Sequence, residues 1–268
     1  MMTGATQRQR PRALRVILAL VAGVMFAGFF ALGTWQVNRL QWKLALIERV
    51  NQRVHGAPLP APTMAQWPQL NAESDDYRAV QLRGVLLDGA TTQVMASLER
   101  GIGYWVVTPL CTADGGIVMI NRGFIPAGLG GWKPQPAPPA AAQDACKAAT
   151  APTVSITGLL RLSEIAGKLR ANEPARNYWY TREVQAIAMA RGLSAAPVAP
   201  YFVDADAASA KAAGPVATAG DAVQPAGGLT VISFVNNHLV YAVTWYALAL
   251  MVAAAAVWVI RDARKQKS

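Results

Sequence analysis

Two uncharged apolar runs, one near each end of the chain, constrain this sequence more than anything else in it. The first lies between Arg15 and Arg39 and the second between His238 and Arg261, so each holds just over 20 residues. At about 1.5 Å per residue, a helix of that length crosses the roughly 30 Å hydrocarbon core of a bilayer. The stretch between the runs has ordinary globular composition and is long enough to bury a core of its own. The pattern predicts a basic tail over 1–15, a transmembrane helix over 16–38, a folded domain over 39–237, a second transmembrane helix over 238–260 and a second basic tail over 261–268.

The charge supports this division. The net charge is +10, but Arg8, Arg10, Arg12 and Arg15 give one tail +4, and Arg261, Arg264, Lys265 and Lys267 against Asp262 give the other +3. Basic residues flanking membrane spans set orientation, because short basic segments resist translocation. They do not read as a nucleic-acid surface. Both tails are therefore expected in the cytoplasm and the domain outside it, in the periplasm. A cleaved secretory signal has an apolar core of about 7–15 residues, shorter than this first run. The basic N-terminus is short for a mitochondrial transit peptide. The expected setting is a bacterial inner (plasma) membrane, with the lipid bilayer itself as a partner.

Apolar residues recur at helical spacing past the first run, through Trp42, Leu46, Ile47 and Val50, which predicts a helix continuing to about Arg53. Pro58, Pro60, Pro62 and Pro68 then predict an extended linker. Beyond it the chain alternates in the manner of strands over 77–87, 92–98, 104–111, 116–122, 153–162, 200–204 and 229–234, with Ala113-Asp114-Gly115 as a hairpin turn. One helix is expected among them, capped by Thr181 and followed by Gly192. The fold class is α+β: two transmembrane helices flanking an extracytoplasmic, β-rich domain, an antiparallel sheet or a barrel. Ala- and Pro-rich stretches near 133–152 and 206–228 lack the apolar residues to offset the entropy of ordering, and read as surface loops. Cys111 and Cys146 lie in a compartment that permits disulfides, and either a bridge or two free thiols is compatible with their positions.

Chemistry concentrates at His238, one of two histidines in the chain. Asn236 or Asn237 can cap the second span, which puts His238 in its first turn. The positive end of the helix dipole favours an uncharged ring there, and an uncharged ring is what a metal ion needs. Tyr241 and Trp245 follow at i+3 and i+7, with Ala242 and Ala249 beside them. A flat, amphipathic porphyrin can rest on the small residues between the aromatic edges, with its propionates toward water. An interfacial histidine with ordinary belt aromatics is the other reading. The remaining histidine, His55, falls near the Pro-rich linker, so a bis-histidine site within one chain is not expected. Arg39, one turn beyond Trp35, can clamp a propionate or contact lipid phosphate. Arg122 of Asn121-Arg122-Gly123 is expected to pair with a carboxylate such as Glu164, and Gly123 to mark a bulge or a left-handed residue. No P-loop, nucleophile elbow or zinc-protease motif occurs, so no catalytic residues are assigned and the chain is read as a non-enzyme.

Four ordered segments resemble a known family. Gly33-Thr34-Trp35-Gln36-Val37-Asn38-Arg39-Leu40-Gln41-Trp42-Lys43, the stretch Val118 to Pro126, the stretch Gly158 to Glu164, and the stretch Asn236 to Ala249 are similar to the motifs of the surfeit-locus (Surf/Shy) assembly factors for cytochrome c oxidase. The similarity extends from about Gly28 to Trp258. Departures are Phe124 where the family usually has Trp, Glu183 where Asp is common, and the two Ala/Pro stretches, which look like insertions. The resemblance implies a chaperone in respiratory complex IV assembly that binds haem a transiently and non-covalently and aids its insertion into the oxidase catalytic subunit, with a haem a synthase as a further partner. It implies that His238 is the haem ligand, and the spacing read above then sets Tyr241 and Trp245 along the ring and Arg39 at its propionates. A scaffold that stabilises assembly intermediates without binding haem is the alternative.

Overall fold

The computed structural model describes residues 12–130, 146, 151–165, 167, 170–193, 195–217, 221–230 and 236–265. In chain order its elements are α1 (Arg12–Val54), β1 (Leu59–Pro60), α2 (Ala72–Asp75), β2 (Ala79–Leu86), β3 (Thr92–Leu98), β4 (Gly101–Thr112), β5 (Ile117–Pro126), α3 (Ala127–Gly130), β6 (Val154–Leu162), α4 (Val184–Ala190), β7 (Val198–Ala205), α5 (Ala207–Ala212) and α6 (His238–Lys265). Two compact units result. One holds the terminal helices, up to Arg49 and from Ser233 onward, and the other is the domain Val50–Ile232.

In the helical unit, α1 passes without a break from the apolar run into the amphipathic stretch that follows it. Both α1 and α6 are long and apolar enough to cross a membrane. Leu20, Val24, Val240, Leu250 and Trp258 are each at least 65% exposed, which excludes a core helix of a soluble protein and suits a lipid-facing surface. Residues 1–11 and 266–268 of the basic tails lie outside the described residues.

In the domain, β2, β6, β7, β5 and β4 pair in that order, and β4 pairs back to β2, closing a five-stranded barrel with β1 beside β2 and β3 beside β4. Numbered by their order in the chain, the barrel strands run 1-2-3-5-4-1, the circuit of an OB-type Greek-key barrel. The sheet is not wholly antiparallel: β5 and β7 are parallel, as are β1 and β2. A ring with an odd number of strands cannot alternate direction all the way round, so one seam must be parallel. Gly84 sits where β2 meets β4 on one side and β6 on the other, and a Cβ there would stand 2.1 Å from the Cys111 carbonyl oxygen. Closure at this point therefore needs a residue without a side chain.

Alternation along the strands builds two cores. Val80, Leu110, Ile120, Ile156, Leu160 and Val203 meet inside the barrel. Met119, Phe202, Val94 and Trp179 point the other way and are covered by Val184, Ile187 and Ala188 of α4. β5 is thus buried on both faces, which is why it reads as a nearly continuous apolar run.

Several expectations are corrected. α4 starts after Glu183 rather than at a Thr181 cap, because Ser163, from the end of β6, accepts the Val184 N–H at 3.0 Å. Thr181 instead receives the Asn172 side-chain amide at 2.8 Å. The stretch near 206–228 is not a plain loop. Asp206 caps α5 by accepting the Ser209 N–H, and Ala210 is fully buried against the barrel, a place only a small side chain fills. The Pro-rich linker contributes β1 and a 3-10 turn over Met64–Gln69. Of the strand expected over 229–234, residues 231–234 lie outside the described residues, as do 133–145 and 147–150 of the other Ala/Pro stretch. Cys111 and Cys146 form a disulfide, with their Cα atoms 5.4 Å apart.

Candidate functional site

The first turn of α6 meets α1 side by side. His238 Nδ1 lies 2.8 Å from Gln36 Oε1. An amide oxygen only accepts, so Nδ1 is the ring nitrogen placed to donate in this contact, and Nε2 is directed away from Gln36. Three further contacts fix the register of the two helices. Trp245 stacks on Phe29 with centroids 5.7 Å apart. The Tyr246 ring meets Phe30 edge-on and fills the space over Gly33, where a Cβ would stand 2.8 Å from it. The Thr34 hydroxyl donates to the Phe30 carbonyl, leaving its oxygen to accept from the Tyr246 hydroxyl at 3.2 Å. Ala242 and Ala249 lie on this same face of α6 and are buried.

This arrangement departs in part from the one expected. Ala242 and Ala249 are buried on the face that packs on α1, so they do not form an open floor for a porphyrin. Trp245 is engaged with Phe29. Tyr241 is exposed, on the flank of the packed face, and its N–H bonds to the Asn237 carbonyl. The Arg39 guanidinium lies 4.1 Å over the Trp42 ring of its own helix, one turn beyond Gln36. The structure thus joins His238 and Trp245 to α1, and leaves Tyr241 and Arg39 outside those contacts. It adds Gln36, which the sequence reading passed over. For a metalloporphyrin, His238 would be the one residue here able to hold the iron, with Tyr241 and Arg39 exposed nearby. Among the described residues no group of three or more His, Cys, Asp or Glu side chains gathers as a metal site.

The domain holds a second polar cluster. Asp204, buried on β7, accepts from Asn121 Nδ2 at 2.7 Å, Arg182 Nη1 at 3.0 Å and the Thr230 hydroxyl at 2.9 Å, and lies 3.7 Å from Arg161 Nη1. Arg182 also grips Glu164 and lies 4.5 Å over the Phe202 ring. Burial works against both charges, yet the two carboxylates hold the Arg182 pKa above its ordinary value, and Arg182 holds that of Glu164 below the ordinary carboxylate range. Glu164 therefore belongs to Arg182. Arg122, expected to pair with it, is buried elsewhere: it bonds Asp88 at 2.7 Å and the carbonyls of Ala213 and Gly214. Burial lowers the Arg122 pKa, with Asp88 opposing. Gly123 takes φ +122°, as expected, against the backbone of Ala226. Apart from the buried Arg122 Nε, which finds no partner among the described residues, these groups are paired and read as architecture. A cavity of about 190 Å³ beside Pro62, Trp67, Arg83 and Tyr201 is smaller than the ~300–1,000 Å³ of ordinary ligand pockets.

Comparison with known proteins finds that the family model described as the SURF1 family matches residues 23–250. The chain belongs to the SURF1 family. It is 30% identical to human "Surfeit locus protein 1" over 263 residues, covering 91% of this chain and 77% of that one. The mouse protein of the same name is 30% identical over 265 residues, covering 92% and 75%. A "SURF1-like protein" of Drosophila melanogaster is 30% identical over 244 residues, covering 82% and 70%. The family match includes both Gln36 and His238 and bears out the resemblance drawn from the four motifs. The two apolar helices are consistent with a membrane protein.

Proposed function

We propose that this SURF1-family protein assists the assembly of haem-copper cytochrome c oxidase, holding haem a at His238 for insertion into the catalytic subunit. Family membership supports the role in oxidase assembly. The observation that carries the haem reading is the ring of His238, whose Nδ1 faces Gln36 at 2.8 Å, leaving Nε2 as the nitrogen that would bind iron. A bound haem a would supply the redox-active iron of the oxidase site, and this chain's part is to hold and orient it. His238 would hold the iron through its ring. Tyr241 borders the ring. Trp245, braced on Phe29, keeps α6 in place. Arg39 can leave the Trp42 ring to meet a propionate, a stronger partner for a guanidinium. No bond-making chemistry is assigned to the protein.

The setting we infer is a bacterial inner membrane with both tails cytoplasmic, from the basic flanks of the spans. A periplasm-active reporter fused near residue 150 should be active, and activity only of a cytoplasmic reporter would overturn that orientation. The direct test of haem binding is the absorption spectrum of protein purified from cells that make haem a. The wild type should carry a haem band and His238→Ala should lose it. An unchanged band removes His238 from the site. A second reading, a scaffold without cofactor, is favoured by one feature: Ala242 and Ala249 are packed away, so they offer no floor for a ring. Colourless wild-type protein that still captures the oxidase catalytic subunit, or a haem a synthase, would favour the scaffold.

A further inference from the structure

We propose that Gln36 is the positioning residue for His238: its side-chain oxygen fixes the ring as the Nδ1–H tautomer and presents the Nε2 lone pair as a deliberately moderate metal ligand. The inference rests on the haem reading above for its purpose, though not for its geometry. The contact is 2.8 Å long between residues 202 apart in the chain, so it exists only because the two helices pack in one register. That register is set by the Tyr246 ring over Gly33 and the Phe29–Trp245 stack, one and two turns away from Gln36. Low polarity around a helix pair strengthens such a bond. Because the two ring nitrogens diverge, anchoring Nδ1 on α1 turns Nε2 away from Gln36.

The choice of an amide also matters. A metal-ligating histidine commonly passes its second N–H to a carboxylate or a carbonyl, and this partner sets both the ring orientation and its basicity. A carboxylate draws the proton strongly and makes the histidine a firm ligand. An amide is a neutral acceptor and draws it less. A protein that must surrender its haem is served by the weaker pull.

The test uses the full chain in lipid nanodiscs, with His55→Gln so that His238 is the only imidazole and its ring nitrogens are ¹⁵N-labelled. In haem-free protein the ¹⁵N shifts should report Nδ1–H, the tautomer that a solvated histidine disfavours. Gln36→Leu should return the ring to mainly Nε2–H, and Gln36→Glu should keep Nδ1–H. Nε2–H in the parent, or Nδ1–H surviving in Gln36→Leu, overturns the assignment. The same variants loaded with haem a are then mixed with apomyoglobin as haem acceptor. Gln36→Leu should release haem about tenfold or more faster, the scale of a lost second partner, and Gln36→Glu more slowly than the parent. Equal release rates overturn the ligand-tuning role. A colourless parent whose tautomer still follows Gln36 upholds the positioning and removes the haem reading, so the two fail separately.

Discussion

At Arg182 a guanidinium is gripped by Glu164 and Asp204 and lies over the Phe202 ring, just ahead of α4. Removing it as Arg182→Met leaves two carboxylates with too little positive charge. Loss of one partner from a buried ion network costs about 3–5 kcal/mol, and with Glu164 only partly buried the lower end is expected in denaturant unfolding of the full chain in detergent. Glu164 also sets a pH dependence. Its folded pKa is below its unfolded value, so the unfolded chain binds the proton more tightly. Its contribution is present above about pH 4.5, the ordinary value, and disappears as the pH falls further. Glu164→Gln should flatten that part of the stability profile, and an unchanged acid limb would count against the pairing. At this scale spacing on one helix grouped His238 with Trp245, and the structure joins both to α1. Gln36 escaped because its partner is on another helix, and a periodicity argument sees one helix at a time. Arg122 was assigned the wrong carboxylate for the same reason: which acid comes within reach is decided by the barrel, not by proximity in the chain.

Among the elements, the helix pair offers a sharp comparison. A side chain at Gly33 would collide with the Tyr246 ring, whereas Gly28 has nothing within 4 Å of where its Cβ would stand. Gly33→Val should destabilise the pair by about 1–3 kcal/mol, the usual cost of overpacking, read as a lower thermal midpoint in micelles. Gly28→Val should change it little. If both behave alike, the close approach at Gly33 is not what holds the helices. In the domain, Asp206→Ala removes the cap of α5 and should cost about 1 kcal/mol. The strands were legible where their faces differ: β3 alternates and its bounds, Thr92–Leu98, match the expected ones. The start of α4 was misplaced because its cap comes from Ser163, across the fold. α5 was missed because a run of alanines carries no visible apolar stripe, although Asp206 and the left-handed Gly214 marked both of its ends.

For the whole molecule, the disulfide is the one covalent link beyond the backbone, and it spans a sequence separation of 35 residues. Closing a loop of that size in the unfolded chain is worth about 3–4 kcal/mol. Reduction should lower the denaturant midpoint accordingly, while Cys111→Ser with Cys146→Ser in one chain should match the reduced wild type. The membrane-tethered architecture and the β-rich domain were readable from hydropathy and alternation. The parallel seam was not, since strand direction around a ring is a property of the count of strands. That seam has a consequence for synthesis. β7 is the last barrel strand to emerge, and it alone bridges β6 to β5, joining Asp204 to an asparagine 83 residues earlier. Until the ribosome has passed Ala205, the nascent domain carries two bare strand edges, which are templates for aggregation. A chain interrupted before Val198 should therefore be degraded or misassembled, and not survive as a smaller working barrel.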